Sequence, residues 1–220
     1  ESNVVQIADN LLRYQRKDGG WKENQDLLRI LDEAEQARIA AENNTTGGSF
    51  DNRNVYTQVD YLANAFARTG DTRYRDASVR GLEFILAHQI PRCGGWPHTV
   101  PGTEPYHPYV TFADEVTPGV LATLRKAQDP ESAFAFLDAT TRERVRQAVQ
   151  RGDACILQLQ VRQGDVLTGW AGQYDNLTLQ PAQGRKFELP AIVVQETVSA
   201  LRYLMRIPQP SPDVIAAIEG

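Results

Sequence analysis

QRKDGGW (15–21), QIPRCGGW (89–96) and QGDVLTGW (163–170) hold the only three tryptophans of the chain. The tryptophans stand 75 and 74 residues apart, each behind a glycine and downstream of a glutamine, Gln15, Gln89 or Gln163. So even a step marks an internal repeat, and a repeat sets the architecture before any local reading does. Apolar residues at helical spacing precede each tryptophan, in NVVQIADNLLRYQ (3–15), YRDASVRGLEFILAHQ (74–89) and RVRQAVQRGDACILQLQ (144–160). A second amphipathic stretch follows each one, at 55–68, 114–128 and 192–206. The repeating unit is therefore helix, Gly-Trp loop, long polar loop, helix. Such pairs bury their apolar faces only by stacking on neighbours. This predicts an all-α fold over residues 1–220, a single toroid of helix pairs with long functional loops. The final PDVIAAIEG (212–220) reads as the opening of a fourth unit, so the toroid is expected to be truncated at its C-terminus.

With 220 residues, the chain can bury a full core. No apolar run approaches the ~20 residues that span a bilayer, so no membrane partner is expected. No signal-peptide pattern opens the sequence, and any leader is taken as removed or never included. A net charge of −5 without basic runs argues against a nucleic-acid partner. Cys93 and Cys155 match no metal spacing and read as two unpaired, partly buried thiols. The charged stretch 25–46 reads as a solvated helical excursion.

Two long loops, 93–108 and 180–190, are rich in Pro and Gly. Loops of more than ~12–15 residues in a compact domain are usually functional. Ahead of the second helix, GGSFDNRNVYTQ (47–58) and HPYVTFADEV (107–116) align as an aromatic followed by Asp: Phe50-Asp51 and Phe112 to Asp114. The repeat thus predicts that Asp51, Asn52, Asp114, Glu115 and Arg185 project from one end of the helical layer. The residues themselves leave two readings for Asp51 and Asp114, helix N-caps or oxygen ligands for a hard cation such as calcium. His88 lies in a helix and reads as structural, whereas His98 and His107 lie in the middle loop and are candidates for substrate contact. Trp21 and Trp170 read as packing posts, and Trp96, in the Pro-rich loop, as a residue that could line a sugar site. No Ser-His-Asp order, GxSxG, zinc pattern or phosphate loop is present, which disfavours nucleophilic hydrolysis and nucleotide chemistry.

Taken in order, YQRKDGGWKEN, SFDNRNVYTQ, TGDTRYRDASVRGLEFIL, CGGWPHTVP, VTFADE, GWAGQYDNLTLQP, GRKFELP and PSPDVIAAIEG resemble the family 10 pectate lyases along the whole chain. The resemblance implies an irregular α/α toroid with a wide groove that cleaves polygalacturonate by calcium-assisted β-elimination. It implies that Asp51 and Asp114 serve calcium, that Asn52 and Lys22 face the substrate, and that Arg185 acts as Brønsted base. To these the reading of the residues themselves adds Glu115 as a further metal ligand and Trp96 and His107 as substrate contacts. Arginine is ordinarily protonated, so that role demands surroundings that favour its neutral form. The sequence departs from the family's usual GGWPKN, reading GGWKEN, and has Tyr174 where histidine is more usual. The implied protein is secreted or periplasmic, monomeric, and acts on an acidic polysaccharide. Two other readings follow from the residues: an α/α-toroid glycoside hydrolase using a carboxylate pair, and a non-catalytic toroid that binds acidic polysaccharide.

Overall fold

The computed structural model describes residues 2–220, and eight α-helices are present among them. They are α1 (Ser2–Tyr14), α2 (Glu33–Glu42), α3 (Tyr56–Thr69), α4 (Thr72–Ala87), α5 (Val116–Gln128), α6 (Ala139–Leu159), α7 (Val194–Leu204) and α8 (Pro212–Glu219). The helix that precedes each tryptophan, α1, α4 or α6, forms one layer, which α8 continues. The helix that follows forms the other, α3, α5 and α7. Contacts run between neighbours within each layer and between the layers, with α3 on α4 and α5 on α6 the most extensive. The all-α toroid is thus the observed fold. Only the Glu33–Glu42 part of the charged excursion is helical, started by an Asp32 and Glu35 capping box.

The Gly-Trp loops show why the repeat has its sequence. All three tryptophans are buried, Trp21 at 1% exposure and Trp96 and Trp170 at 0%. Each indole N–H donates to a carbonyl of the helix before it: Leu11 (2.9 Å), Ile85 (2.8 Å) and Ile156 (2.8 Å). The glutamines then tie one unit to the next. Gln15 donates to the carbonyls of Gly19 (3.1 Å) and Ala77 (2.8 Å), and Gln89 to those of Gly94 (2.7 Å) and Ala148 (2.8 Å). In the third unit this residue is Gln160, which donates to Thr168 (2.8 Å) and Ala217 (2.9 Å). Gln163, the glutamine expected from the sequence, lies exposed in a small ribbon instead. A hairpin inserted between helix and tryptophan moved the spacing. Gly19 and Gly94 have φ of 96° and 110°, and a Cβ on either would overlap the carbonyl of Arg80 or Arg151 on the next unit's helix.

Two findings correct the sequence expectations. Cys93 and Cys155 are joined in a disulfide, with Cα atoms 5.0 Å apart, that ties the second Gly-Trp loop to α6. The thiols are therefore not unpaired. Trp96, expected to line a sugar site, is fully buried and is a packing post like the other two.

Among the described residues, three two-stranded antiparallel ribbons accompany the helices. β1 (Gly48–Ser49) pairs with β2 (Thr99–Val100), β3 (Val110–Thr111) with β6 (Gln173–Tyr174), and β4 (Arg162–Gln163) with β5 (Val166–Leu167). The first two join the loop of one unit to the loop of the next. They set the positions of the polar residues described below.

Candidate active site

Pairing of β1 with β2, extended by a hydrogen bond from Phe50 N to the His98 carbonyl (2.8 Å), lays His98 beside Asp51. Nε2 of His98 lies 3.3 Å from Oδ2 of Asp51. The imidazole is stacked on that of His107, with ring centroids 4.9 Å apart and planes 5° from parallel, and Tyr106 packs edge-on to both. His107 is 8% exposed, and its Nδ1 accepts from the backbone N–H groups of Thr103 (3.1 Å) and Glu104 (3.3 Å). It therefore stands behind His98 as a support, rather than presenting its ring to a polymer as expected. Burial, with His98 second, holds its pKa below the ordinary value.

Pairing of β3 with β6 does the same for the second unit. Phe112 N (2.8 Å) and Ala113 N (2.9 Å) both donate to the carbonyl of Gly172, and the chain then turns sharply through Asp114 and Glu115. Phe50 and Phe112, the aromatics that flagged the motif, are fully buried and anchor these turns. The turns are strained. Asn52, Arg53, Val55, Asp114 and Glu115 have φ of 52°, 58°, 67°, 52° and 64°, a left-handed region that non-glycine residues seldom occupy and β-branched Val55 least of all. Strain of this kind, of order 1–3 kcal/mol per residue, collects at functional sites where the surrounding structure enforces it.

The result brings Asp51 and Asp114 from successive units close enough for each carboxyl to act on the other. Burial opposes ionisation of Asp51, but hydrogen bonds and charge from His98 outweigh it and hold the pKa below the ordinary value. Burial and the Asp51 carboxyl push Asp114 up. Neither carboxyl caps a helix: Val55 and Glu115 occupy the cap positions of α3 and α5, without side-chain caps. The N-cap reading is thereby excluded. Oδ1 of Asp51 is buried with no hydrogen-bond partner, as an oxygen awaiting a cation would be. Glu115 was expected beside the pair as a ligand, but its carboxylate is engaged by Arg53 at 2.8 Å, in an ion pair that bridges the two turns. Among the described residues no group of three or more His, Cys, Asp or Glu is set for a metal.

Arg185 lies on the loop before α7, close enough for its charge to act on Tyr106, Asp51 and Asp114. Its guanidinium is held by Glu188, with Nε 2.8 Å from the carboxylate, and its own backbone N–H donates to Glu188 at 2.8 Å. This pair raises the pKa of Arg185 and lowers that of Glu188 against its burial. The surroundings thus favour the charged guanidinium, opposite to what a base requires. Glu188 is a residue the sequence reading missed; its position in FELP, three after Arg185, carried the signal. Asn52 is exposed and donates to Asp51 (3.2 Å), and Lys22 is exposed at the end of the first Gly-Trp loop. Beneath Asp114 lies Glu196, 6% exposed. Burial, then Asp114, Glu115 and Glu188, push its carboxyl up to about 7.

Chemically, two neighbouring carboxyls, one with an unpartnered buried oxygen, suit the joint holding of a hard cation. The pectic acid lyase family matches residues 15–220 of the chain. The chain belongs to the pectic acid lyase family. A family 10 polysaccharide lyase from Cellvibrio cellulosa superimposes with a TM-score of 0.86 at 29% identity, over 96% of this chain and 63% of that one. An aspartate-to-alanine variant of that lyase, in complex with trigalacturonic acid, gives 0.87 at 29% identity, over 97% and 64%. This chain therefore spans less than two thirds of the length of those lyases. A comparison with curated proteins finds no match.

Proposed function

We propose that the three helix-pair units act together as one catalytic domain, a monomeric pectate lyase that cleaves polygalacturonate by calcium-dependent β-elimination. The observation that carries this reading is the Asp51 and Asp114 carboxyl pair, with its orphaned buried oxygen, beside the Arg185 guanidinium. Family membership and the complex of a similar lyase with trigalacturonic acid support the substrate class.

Galacturonate carries at C5 a proton α to its carboxylate. Elimination passes that proton to a base, forms a double bond between C4 and C5, and breaks the bond from C4 to the bridging oxygen, which takes up a proton. Asp51 and Asp114 would hold calcium, which when bound would draw charge from the substrate carboxylate and stabilise the enolate-like transition state. Arg185 would be the base. Because Glu188 now holds it as a cation, base action requires that pair to open when the polymer arrives. Asn52 and Lys22 would orient the acidic chain, and His98, braced by His107 and Tyr106, would keep the Asp51 carboxylate aimed. The disulfide supports an oxidising destination, in keeping with a secreted or periplasmic enzyme.

The test is incubation with polygalacturonate, with calcium and then with a chelator. The expected result is an unsaturated, UV-absorbing uronide that disappears with chelator and in Arg185→Ala. Full activity of Arg185→Ala would remove the base assignment, and saturated products would point to hydrolysis.

A further inference from the structure

Two cavities adjoin at the Arg185 loop, sharing Gly184 and Phe187, and their charged linings differ. The outer one, of about 510 Å³, has Arg185 and Lys186 against a single carboxylate, Glu104, with Gln183 and Tyr106, and offers cations to an acidic sugar. The inner one, of about 360 Å³, has walls of Ala113, Leu189, Ala191 and Val193, and its charged lining residues are Glu188 and Glu196. Neither Lys, Arg nor His lines it. Two polar atoms in this lining are buried without a hydrogen-bond partner, Oε2 of Glu196 and Oε1 of Gln173, on residues 6% and 4% exposed. Leaving two buried acceptors unmet costs free energy, so they favour an occupant that brings hydrogen-bond donors. A free carboxylate brings none, and it would meet the Glu196 carboxyl and a Glu188 carboxylate whose cation, Arg185, is already engaged, with Asp114 next to Ala113. Sugar hydroxyls are donors, and a small apolar group fits the alanine and valine wall.

We propose that the inner cavity is a subsite for a methyl-esterified galacturonate, with hydroxyls on Glu196 and Gln173 and the methyl ester on the apolar wall, beside the cationic cavity that takes a free uronate. This rests on the pectate lyase reading above and gives the enzyme a preference for partly esterified polymer.

The experiment compares kcat/KM on polygalacturonate and on lightly methyl-esterified pectin for the wild type, Ala191→Phe and Leu189→Lys. Both positions are solvent-exposed, Leu189 at 64%, so the folded state should survive, and melting curves check it. Phe at 191 narrows the cavity, and Lys at 189 places a cation at its mouth. Each should lower the ratio of esterified to free activity about tenfold, the low end of what a hydrophobic pocket draws from one added carbon. Mass spectrometry of wild-type products should find methyl esters enriched at one fixed position from the new double bond. A ratio unchanged in both variants, or esters scattered evenly about the cut, would overturn the subsite while leaving the lyase intact. Absence of unsaturated product from either polymer would defeat the lyase reading and the subsite with it.

Discussion

Asp114 lies close enough to Asp51 for each carboxyl to shift the other's pKa, although the two belong to different repeats and are brought together by ribbon pairs that no helix pattern reveals. Each unit supplies one carboxyl from a strained turn, and His98, from the ribbon between them, fixes the first. The pair is therefore a product of repeat stacking.

Loss of either carboxyl should cripple the proposed reaction through the metal. Asp51→Ala and Asp114→Ala are each expected to lower kcat by about 10²–10³, comparable to removing one electrostatic stabiliser of a developing charge. Calorimetric titration of calcium, run beside the assay, should show weakened binding in both. Normal calcium affinity with lost activity would move these residues out of the metal's shell.

Glu188 sets the protonation of Arg185. Its carboxylate raises the guanidinium pKa, so Glu188→Gln should let that pKa fall and make the base form available at lower pH. The acid limb of kcat/KM against pH should move downward. A limb that stays in place would show that something else governs the base.

Burial of Glu196 has a signed consequence for stability. Its folded pKa of about 7 lies above the ordinary 4.5, so the folded state holds a proton the unfolded chain releases. The associated stability is present below pH 4.5 and is lost as pH rises through 7. Glu196→Gln should therefore stabilise the calcium-free protein by up to about 3 kcal/mol at pH 8 and by under ~1 kcal/mol at pH 4.5. Melting curves at the two pH values decide it; equal shifts would contradict the burial argument.

Reduction of the disulfide should loosen the second unit. Closing a loop over a sequence separation of 62 is worth about 4 kcal/mol in the chain-entropy account. Cys93→Ser with Cys155→Ser should lower Tm by roughly 2–4 °C for each kcal/mol lost. An unchanged Tm would mean the helix stack holds that loop unaided.

Trp96→Phe separates the tryptophan's bulk from its hydrogen bond. Phenylalanine keeps much of the ring but leaves the Ile85 carbonyl with only the longer bond from the His88 backbone N–H (3.3 Å), a cost of about 1 kcal/mol. Chemical denaturation should show it as a lower midpoint. A substrate-contact role would instead raise KM with stability intact, which the full burial of the ring argues against.

From the sequence alone came the helix-pair repeat, its Gly-Trp corners and the Asp51, Asp114 and Arg185 loops, because each rests on periodicity or spacing that a linear chain displays. What spacing could not supply was partnership between distant residues. Gln160 took the role expected of Gln163 because a hairpin displaced the register. Cys93 met Cys155, Glu115 turned to Arg53, and Glu188 took Arg185. His107 and Trp96 withdrew into the interior, since burial is decided by what packs above a residue and not by its place in a loop. The sequence thus named the loops that carry the chemistry; the stacked helices and their ribbons decided which atoms within them meet.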